Sequence, residues 1–199
     1  MNLVKQLPCM APSLCDLLLE EVDHYSFGRA MVTDNAGSPV IGEGRSNFLC
    51  PVPESFSQTL LSVLNNVISN WSKQVAEECP DFWMQLKLPG VTPGLKTSLE
   101  PVTILRYEQG QEYKWHIDQP LSYSTTLTPY STETRVWSVV LYLNDDFEGG
   151  ETQVLEDIYI PKKGTALVFP SSWHYPHTAL PVKQGTKYAV VTWYHPDFG

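Results

Sequence analysis

The chain has 199 residues, enough for one domain with a sizeable core that needs no metal or disulfide to fold. Hydrophobic residues at 42% and charged residues at 18% exclude a disordered or fibrous chain. Lys plus Arg number 13 against 22 Asp plus Glu, a net charge of −9 that speaks against non-specific nucleic-acid binding, though not against one local basic groove. Aromatics at 12% and 16 prolines point to a β-rich fold with many turns.

The cysteines, Cys9, Cys15, Cys50 and Cys79, form no CxxC and no zinc-finger spacing, and read as reduced, buried thiols. Pro8, Pro12 and Asp16 interrupt the apolar residues at the N-terminus, which therefore lacks the apolar core of a signal peptide. No apolar run reaches the roughly 18 residues of a membrane span. The expectation is a cytoplasmic protein with no membrane contact.

The first third reads as helical. Ser13 is placed to cap a short helix with a stripe of Leu14, Leu17, Leu18 and Val22. Asp34 to Pro39 is turn-rich and predicts a hairpin or loop. Ser55 and Gln58 fit a capping box. Behind it, Leu60, Leu61, Val63, Leu64, Val67, Ile68 and Trp71 predict a long helix that ends before Pro80 and packs on a sheet. From Leu99 the period changes to short β-branched and aromatic runs: VTILRY, EYKWHID, RVWSVVLYLN, TQVLE, IYIP, TALVFP and KYAVVTWYH. Strands at this spacing without helices between them predict a sandwich or barrel. With no repeat and no flexible linker, residues 1–199 read as a single domain, 1–95 supporting and 96–199 forming the core.

His116 and Asp118 lie two apart in an extended run, so both side chains point to one face. A second imidazole would complete the two-His, one-carboxylate facial triad that suits non-haem Fe(II) and leaves positions open. His177 and His174 compete for that place in FPSSWHYPHT. Lys187 follows His177 by ten positions at the start of a strand, and a lysine inside an aromatic barrel needs an anion to offset its burial. Gly149 and Gly150 read as turn glycines without chemistry, and Glu151 as solvated.

HID (His116 to Asp118), His177, Lys187 and FEGGET (Phe147 to Thr152) together resemble the iron(II)/2-oxoglutarate dioxygenases of the prolyl 4-hydroxylase branch. LRYEQGQEYKWHID, VVLYLND, IPKKGTALVFP and LPVKQGTKYAVVTW extend the resemblance over Leu99 to His195. It implies an α+β, mainly β fold, a double-stranded β-helix or jelly-roll with supporting N-terminal helices. It implies His116, Asp118 and His177 as catalytic iron ligands, and Lys187 as the partner of the distal 2-oxoglutarate carboxylate. Tyr142, in the YL position of its strand, looks like the hydroxyl partner of Lys187, and Tyr107 lines the co-substrate pocket.

For substrate binding the resemblance points to Arg135, Trp193 and Tyr113. Trp193 shares a strand face with Lys187. Tyr113 falls on the face opposite His116 unless a bulge intervenes. Thr178 adds a hydroxyl beside the last ligand. The Ser/Thr-rich stretch between Asp118 and Arg135 reads as a loop or lid. His174 is either the ligand itself or a neighbour of it.

The implied activity couples 2-oxoglutarate decarboxylation and dioxygen to hydroxylation of a C–H bond, foremost in peptidyl proline, with Fe(II) as metal and ascorbate as a further cofactor. A free amino acid or other small molecule is the competing substrate, and the acidic charge disfavours a nucleobase. Two other classes are open: a metal-holding β-helix binding module, which leaves Lys187 and Tyr142 idle, and a zinc hydrolase, which needs a water-activating base.

Overall fold

The computed structural model describes residues 2–33, 39–40, 44–80, 96–119 and 135–197. The turn expected at Asp34 to Pro39 and the lid expected between Asp118 and Arg135 fall almost wholly outside these residues. In chain order the elements are β1 (Lys5–Pro8), α1 (Pro12–Val22), β2 (Gly28–Arg29), β3 (Val32–Thr33), β4 (Pro39–Val40), β5 (Phe48–Pro51) and α2 (Glu54–Glu78). They continue with β6 (Lys96–Leu99), β7 (Thr103–Tyr107), β8 (Tyr113–His116), β9 (Trp137–Tyr142), β10 (Glu148–Gly149) and β11 (Thr152–Val154). β12 (Asp157–Tyr159), β13 (Thr165–Pro170), β14 (His177–Ala179), β15 (Val182–Gln184) and β16 (Lys187–Asp197) complete the chain.

The major sheet runs β1-β13-β9-β16-β7-β5-β2, with β6 also on β16, and the minor sheet runs β12-β11-β14-β8. The strand pairs within both sheets are antiparallel. This is the jelly-roll expected from the sequence. The first third is less helical than expected. β1 joins the edge of the major sheet through β13, and β5 and β2 extend the opposite edge. Four-residue strands such as KQLP and FLCP are too short to show a period of two over several residues, so local pattern cannot reveal them.

Side-chain alternation splits the major sheet between two cores. Val139 and Leu141 of β9, Ala166 and Val168 of β13, and Val190 of β16 pack on the helices. Their neighbours Tyr142, Leu167, Phe169, Ala189, Leu105, Tyr107 and Val191 form the clusters of the opposite face. From α2, Leu60, Leu64, Val67, Ile68, Trp71 and Val75 are buried, a helical stripe laid on the sheet. The Trp71 ring meets Trp137 at 4.5 Å, and its indole N–H donates to the Leu3 carbonyl at 2.8 Å.

Neither predicted cap forms. Pro12 opens α1, so Ser13 already lies inside its first turn, and the buried stripe is Cys15, Leu18 and Val22, with Leu17 exposed. Pro53 precedes α2, and the Ser55 hydroxyl donates to Glu21 Oε1 at 2.6 Å, tying the two helices together instead of capping one. Cys15 and Cys50 are buried, whereas Cys9 and Cys79 are only half-buried; all four are free thiols. Among the described residues, no helix is long and apolar enough to cross a membrane.

Candidate metal centre and co-substrate pocket

β8 and β14 are cross-strand neighbours in the minor sheet, and their register sets His116 directly opposite His177. Asp118 follows two residues after His116, just past the strand end. Its Oδ1 lies 3.6 Å from His116 Nε2 and its Oδ2 lies 3.3 Å from His177 Nε2. The three ligand atoms lie within 4.8 Å of one another. His174 stays outside this group: it is exposed and stacks on Trp173 at 3.6 Å. The competition between the two histidines is settled by β14, which turns His177 inward.

The imidazoles are fixed in the tautomer that a metal requires. His116 Nδ1 stands 2.8 Å from the Lys114 carbonyl and His177 Nδ1 stands 3.1 Å from the Tyr175 carbonyl. A carbonyl only accepts, so each Nδ1 carries a proton, and Nε2 is the nitrogen that each ring turns toward Asp118 and leaves for a metal. Burial, together with the nearby His177, lowers the pKa of His116 to about 4, so it is neutral and ready to ligate at neutral pH. Burial alone would raise the Asp118 pKa. The adjacent His177 with its hydrogen bond, His116 and the Trp193 indole outweigh it and hold the carboxyl well below the usual range.

Tyr113 sits on the same side as His116, not opposite. The residue pairs His177–His116 and Ala179–Tyr113 leave one extra residue on β8, a bulge that reverses the alternation. The Tyr113 ring therefore stacks on the His116 ring at 3.5 Å and 15°. Thr178 lines the cavity and donates its hydroxyl to the Tyr113 carbonyl at 2.8 Å.

The triad opens onto a cavity of about 380 Å³ lined by Tyr107, Tyr113, Thr152, Lys187 and Trp193, among others. Lys187, Ala189, Val191 and Trp193 all line it, one face of β16. Lys187 is 2% exposed, and its Nζ donates to the Gly150 carbonyl at 2.6 Å. It lies 5.3 Å from the Tyr107 ring centre and 5.4 Å from that of Tyr142. Burial lowers its pKa to about 7, only partly countered by the charge of Glu151. A buried ammonium held by a carbonyl and two ring faces is an incomplete anion site.

Tyr142 is fully buried and donates its hydroxyl to Thr152 Oγ1 at 2.8 Å. Its proton is therefore engaged, and Thr152, which lines the cavity, keeps its own hydroxyl proton to offer. Gly150 also contributes more than a turn, since its carbonyl holds Lys187.

Arg135 is bound within the wall. Its Nε and Nη2 donate to the two oxygens of Glu100 at 2.6 and 2.7 Å, and Nη1 donates to the Asp118 carbonyl at 3.2 Å. It stacks on Trp193 at 3.7 Å. Glu100 accepts also from His195 Nε2 at 2.6 Å. Sequence reasoning missed Arg45, Thr152 and Ser138 as lining residues. Arg45 carried no signal, because only tertiary pairing brings it over the Tyr113 ring at 4.7 Å. Thr152 stood within FEGGET, where it could have been singled out.

A jelly-roll with two imidazoles and one carboxylate at one point, and a buried cation in the same cavity, defines a mononuclear metal site for a substrate that bears an anion. Residues 102–195 match the 2OG-Fe(II) oxygenase superfamily. That match, over just under half of the chain, agrees with the fold and with the His116–Asp118–His177 group. A PKHD-type hydroxylase of Idiomarina loihiensis is 34% identical over 105 residues, 46% of this chain and 40% of that protein. The mouse procollagen-lysine,2-oxoglutarate 5-dioxygenase 1 is 26% identical over 197 residues, 95% of this chain and 23% of that protein. The chain thus spans well under half the length of both relatives. A Trichoplax adhaerens prolyl hydroxylase, solved with a hypoxia inducible factor oxygen degradation domain peptide fragment, has the same fold. Its TM-score is 0.65 at 17% identity, covering 98% of this chain and 84% of that one.

Proposed function

We propose that the chain hydroxylates a prolyl residue in a peptide or protein, with Fe(II), 2-oxoglutarate and dioxygen. The observation that carries the reading is one cavity holding both a preformed His116–Asp118–His177 triad and the buried Lys187. The donor set, two imidazoles and one carboxylate, fits a divalent iron. The pocket fits a dicarboxylate, whose distal end supplies the anion that Lys187 lacks. Iron, 2-oxoglutarate and dioxygen together supply the oxidising power that turns a C–H bond into C–OH, releasing succinate and carbon dioxide. The protein's share is to orient the ligands, neutralise the distal carboxylate and keep the cavity dry.

Peptidyl proline is supported by the prolyl hydroxylase with a bound peptide fragment that shares the fold. The stacked Tyr113 and the Trp193 wall offer the ring faces that suit a pyrrolidine. A zinc hydrolase is disfavoured, because Asp118 is the sole acid among the described lining residues and it is already a ligand. Residues 1–95 and 96–199 act as one oxygenase domain, and the free cysteines support a reducing compartment such as the cytoplasm.

Anaerobic addition of Fe(II) and 2-oxoglutarate should raise a weak visible charge-transfer band. Succinate release should then rise with proline-containing peptides and not with matched lysine-containing peptides or free amino acids. No band would sink the oxygenase reading; a band with a lysine-peptide or amino-acid response would overturn the prolyl substrate alone.

A further inference from the structure

Asp118 is gripped by more than its fellow ligands. The Ser138 hydroxyl donates to Asp118 Oδ2 at 2.7 Å. Ser138 Oγ also lies 2.8 Å from Ser171 Oγ. Each serine has one hydroxyl proton. Since that of Ser138 is committed to the carboxylate, Ser171 must be the donor to Ser138. The direction of the chain is then fixed: Ser171 to Ser138 to Asp118. Both serines are buried, at 1% and 0% exposure. Hydroxyls so placed are costly unless fully bonded.

Ser171 holds the same segment a second time. Its carbonyl accepts from the Gln119 amide at 2.9 Å, one residue past the ligand, and its own amide donates to the Val136 carbonyl at 3.1 Å. Ser138 lies on β9 directly opposite Trp193 of β16. The short chain past β8 that bears Asp118 is therefore fastened to the major sheet, while both histidines belong to the minor sheet.

We propose that the Ser171–Ser138 hydroxyl chain is a positioning device that sets the rotation of the Asp118 carboxylate and so presents the triad ready-made to the metal. Ser138 and Ser171 are positioning residues, acting through the Asp118 carboxylate. The inference rests on the proposed metal-dependent reading of the site. It gives the major sheet a role in metal affinity that the minor-sheet histidines cannot fill alone, because Ser138 and Ser171 hold the carboxylate from outside the minor sheet.

The test is Co(II) binding to the apoprotein, followed by titration and by the visible spectrum of the bound ion, with no turnover involved. Ser138→Ala should weaken Co(II) binding by about tenfold. Ser171→Ala should weaken it less, in the same direction, and Ser138→Thr, which restores a hydroxyl, should recover most of the loss. Once saturated with metal, Ser171→Ala, which lies outside the cavity lining, should bind 2-oxoglutarate as the parent does, which a general loosening of the fold would not allow. Unchanged Co(II) affinity in Ser138→Ala overturns the inference, and if that variant fails to fold, unchanged affinity in Ser171→Ala does so. If the parent chain binds no Co(II), it is the metal-dependent reading that fails.

Discussion

Lys187 donates to the carbonyl of Gly150 at 2.6 Å, and this is the one hydrogen bond of its ammonium among the described residues. A buried cation so weakly compensated lowers the stability of the empty protein and favours the form that holds an anion.

Replacing Lys187 with Met should therefore act in opposite directions on two measurements. The 2-oxoglutarate requirement, read as KM in succinate release, should rise by about two orders of magnitude. The melting temperature without co-substrate should rise at neutral pH, because an uncompensated charge has gone. A variant with unchanged KM would remove Lys187 from the co-substrate site.

The pH dependence has a definite sign. Lys187 has a pKa of about 7 in the fold against an ordinary 10.5. Between these values the unfolded chain holds more protons, so this group makes the free protein gain stability as pH rises from about 7 to 10.5. Co-substrate binding runs the other way. Below about pH 7 the ammonium is present, and above it each bound dicarboxylate requires a proton to be taken up. The dissociation constant of 2-oxoglutarate, measured anaerobically, should be flat below pH 7 and then rise by up to about tenfold per unit. In Lys187→Met that rise should vanish.

Thr152 and Tyr142 divide a role that the family resemblance placed on Tyr142. Since Tyr142 gives its proton to Thr152, the hydroxyl offered to the cavity is that of Thr152. Thr152→Val should raise the 2-oxoglutarate KM by about tenfold, and Tyr142→Phe by about threefold, as expected for losing a bond to a charge against a neutral one. The reverse order would return the contact to Tyr142.

Gly149 and Gly150 have φ of +74° and +66°. A Cβ on Gly149 would land on the Pro181 carbonyl oxygen and come within 2.9 Å of the Lys183 amide nitrogen, both unyielding backbone. On Gly150 it would meet the side chains of Phe147 and Val182 at 3.1 Å and Lys187 Cδ at 3.2 Å. Gly149→Ala should cost more stability in denaturant unfolding, with about 1–2 kcal/mol from the φ angle alone. Gly150→Ala should show the larger rise in 2-oxoglutarate KM, because it pushes on the lysine.

The strands with several alternating residues, such as Trp137–Tyr142 and Lys187–Asp197, were readable locally, since one residue in two must be apolar to face the helices. The shared face of Lys187 and Trp193 followed from that same alternation. Tyr113 escaped it, because a bulge is set by the partner strand β14 and leaves no mark in the eight residues around it. The caps expected at Ser13 and Ser55 failed for a related reason. Pro12 and Pro53 moved each helix start, and Glu21 across the helix interface took the Ser55 hydroxyl.

The amino-acid sequence alone determined the kinds of groups present and their order: the HID run, a later histidine, the lysine ten positions on and the two glycines. These are local matters of residue chemistry and spacing. Folding decided which groups share a volume. The register of β8 against β14 admits His177 and leaves His174 exposed, and the meeting of the two sheets brings Ser138 to Asp118. Burial then makes Lys187 in search of an anion instead of a solvated cation. Such contacts join residues up to about a hundred positions apart, and their energies depend on a low dielectric that exists only once the chain has closed around them.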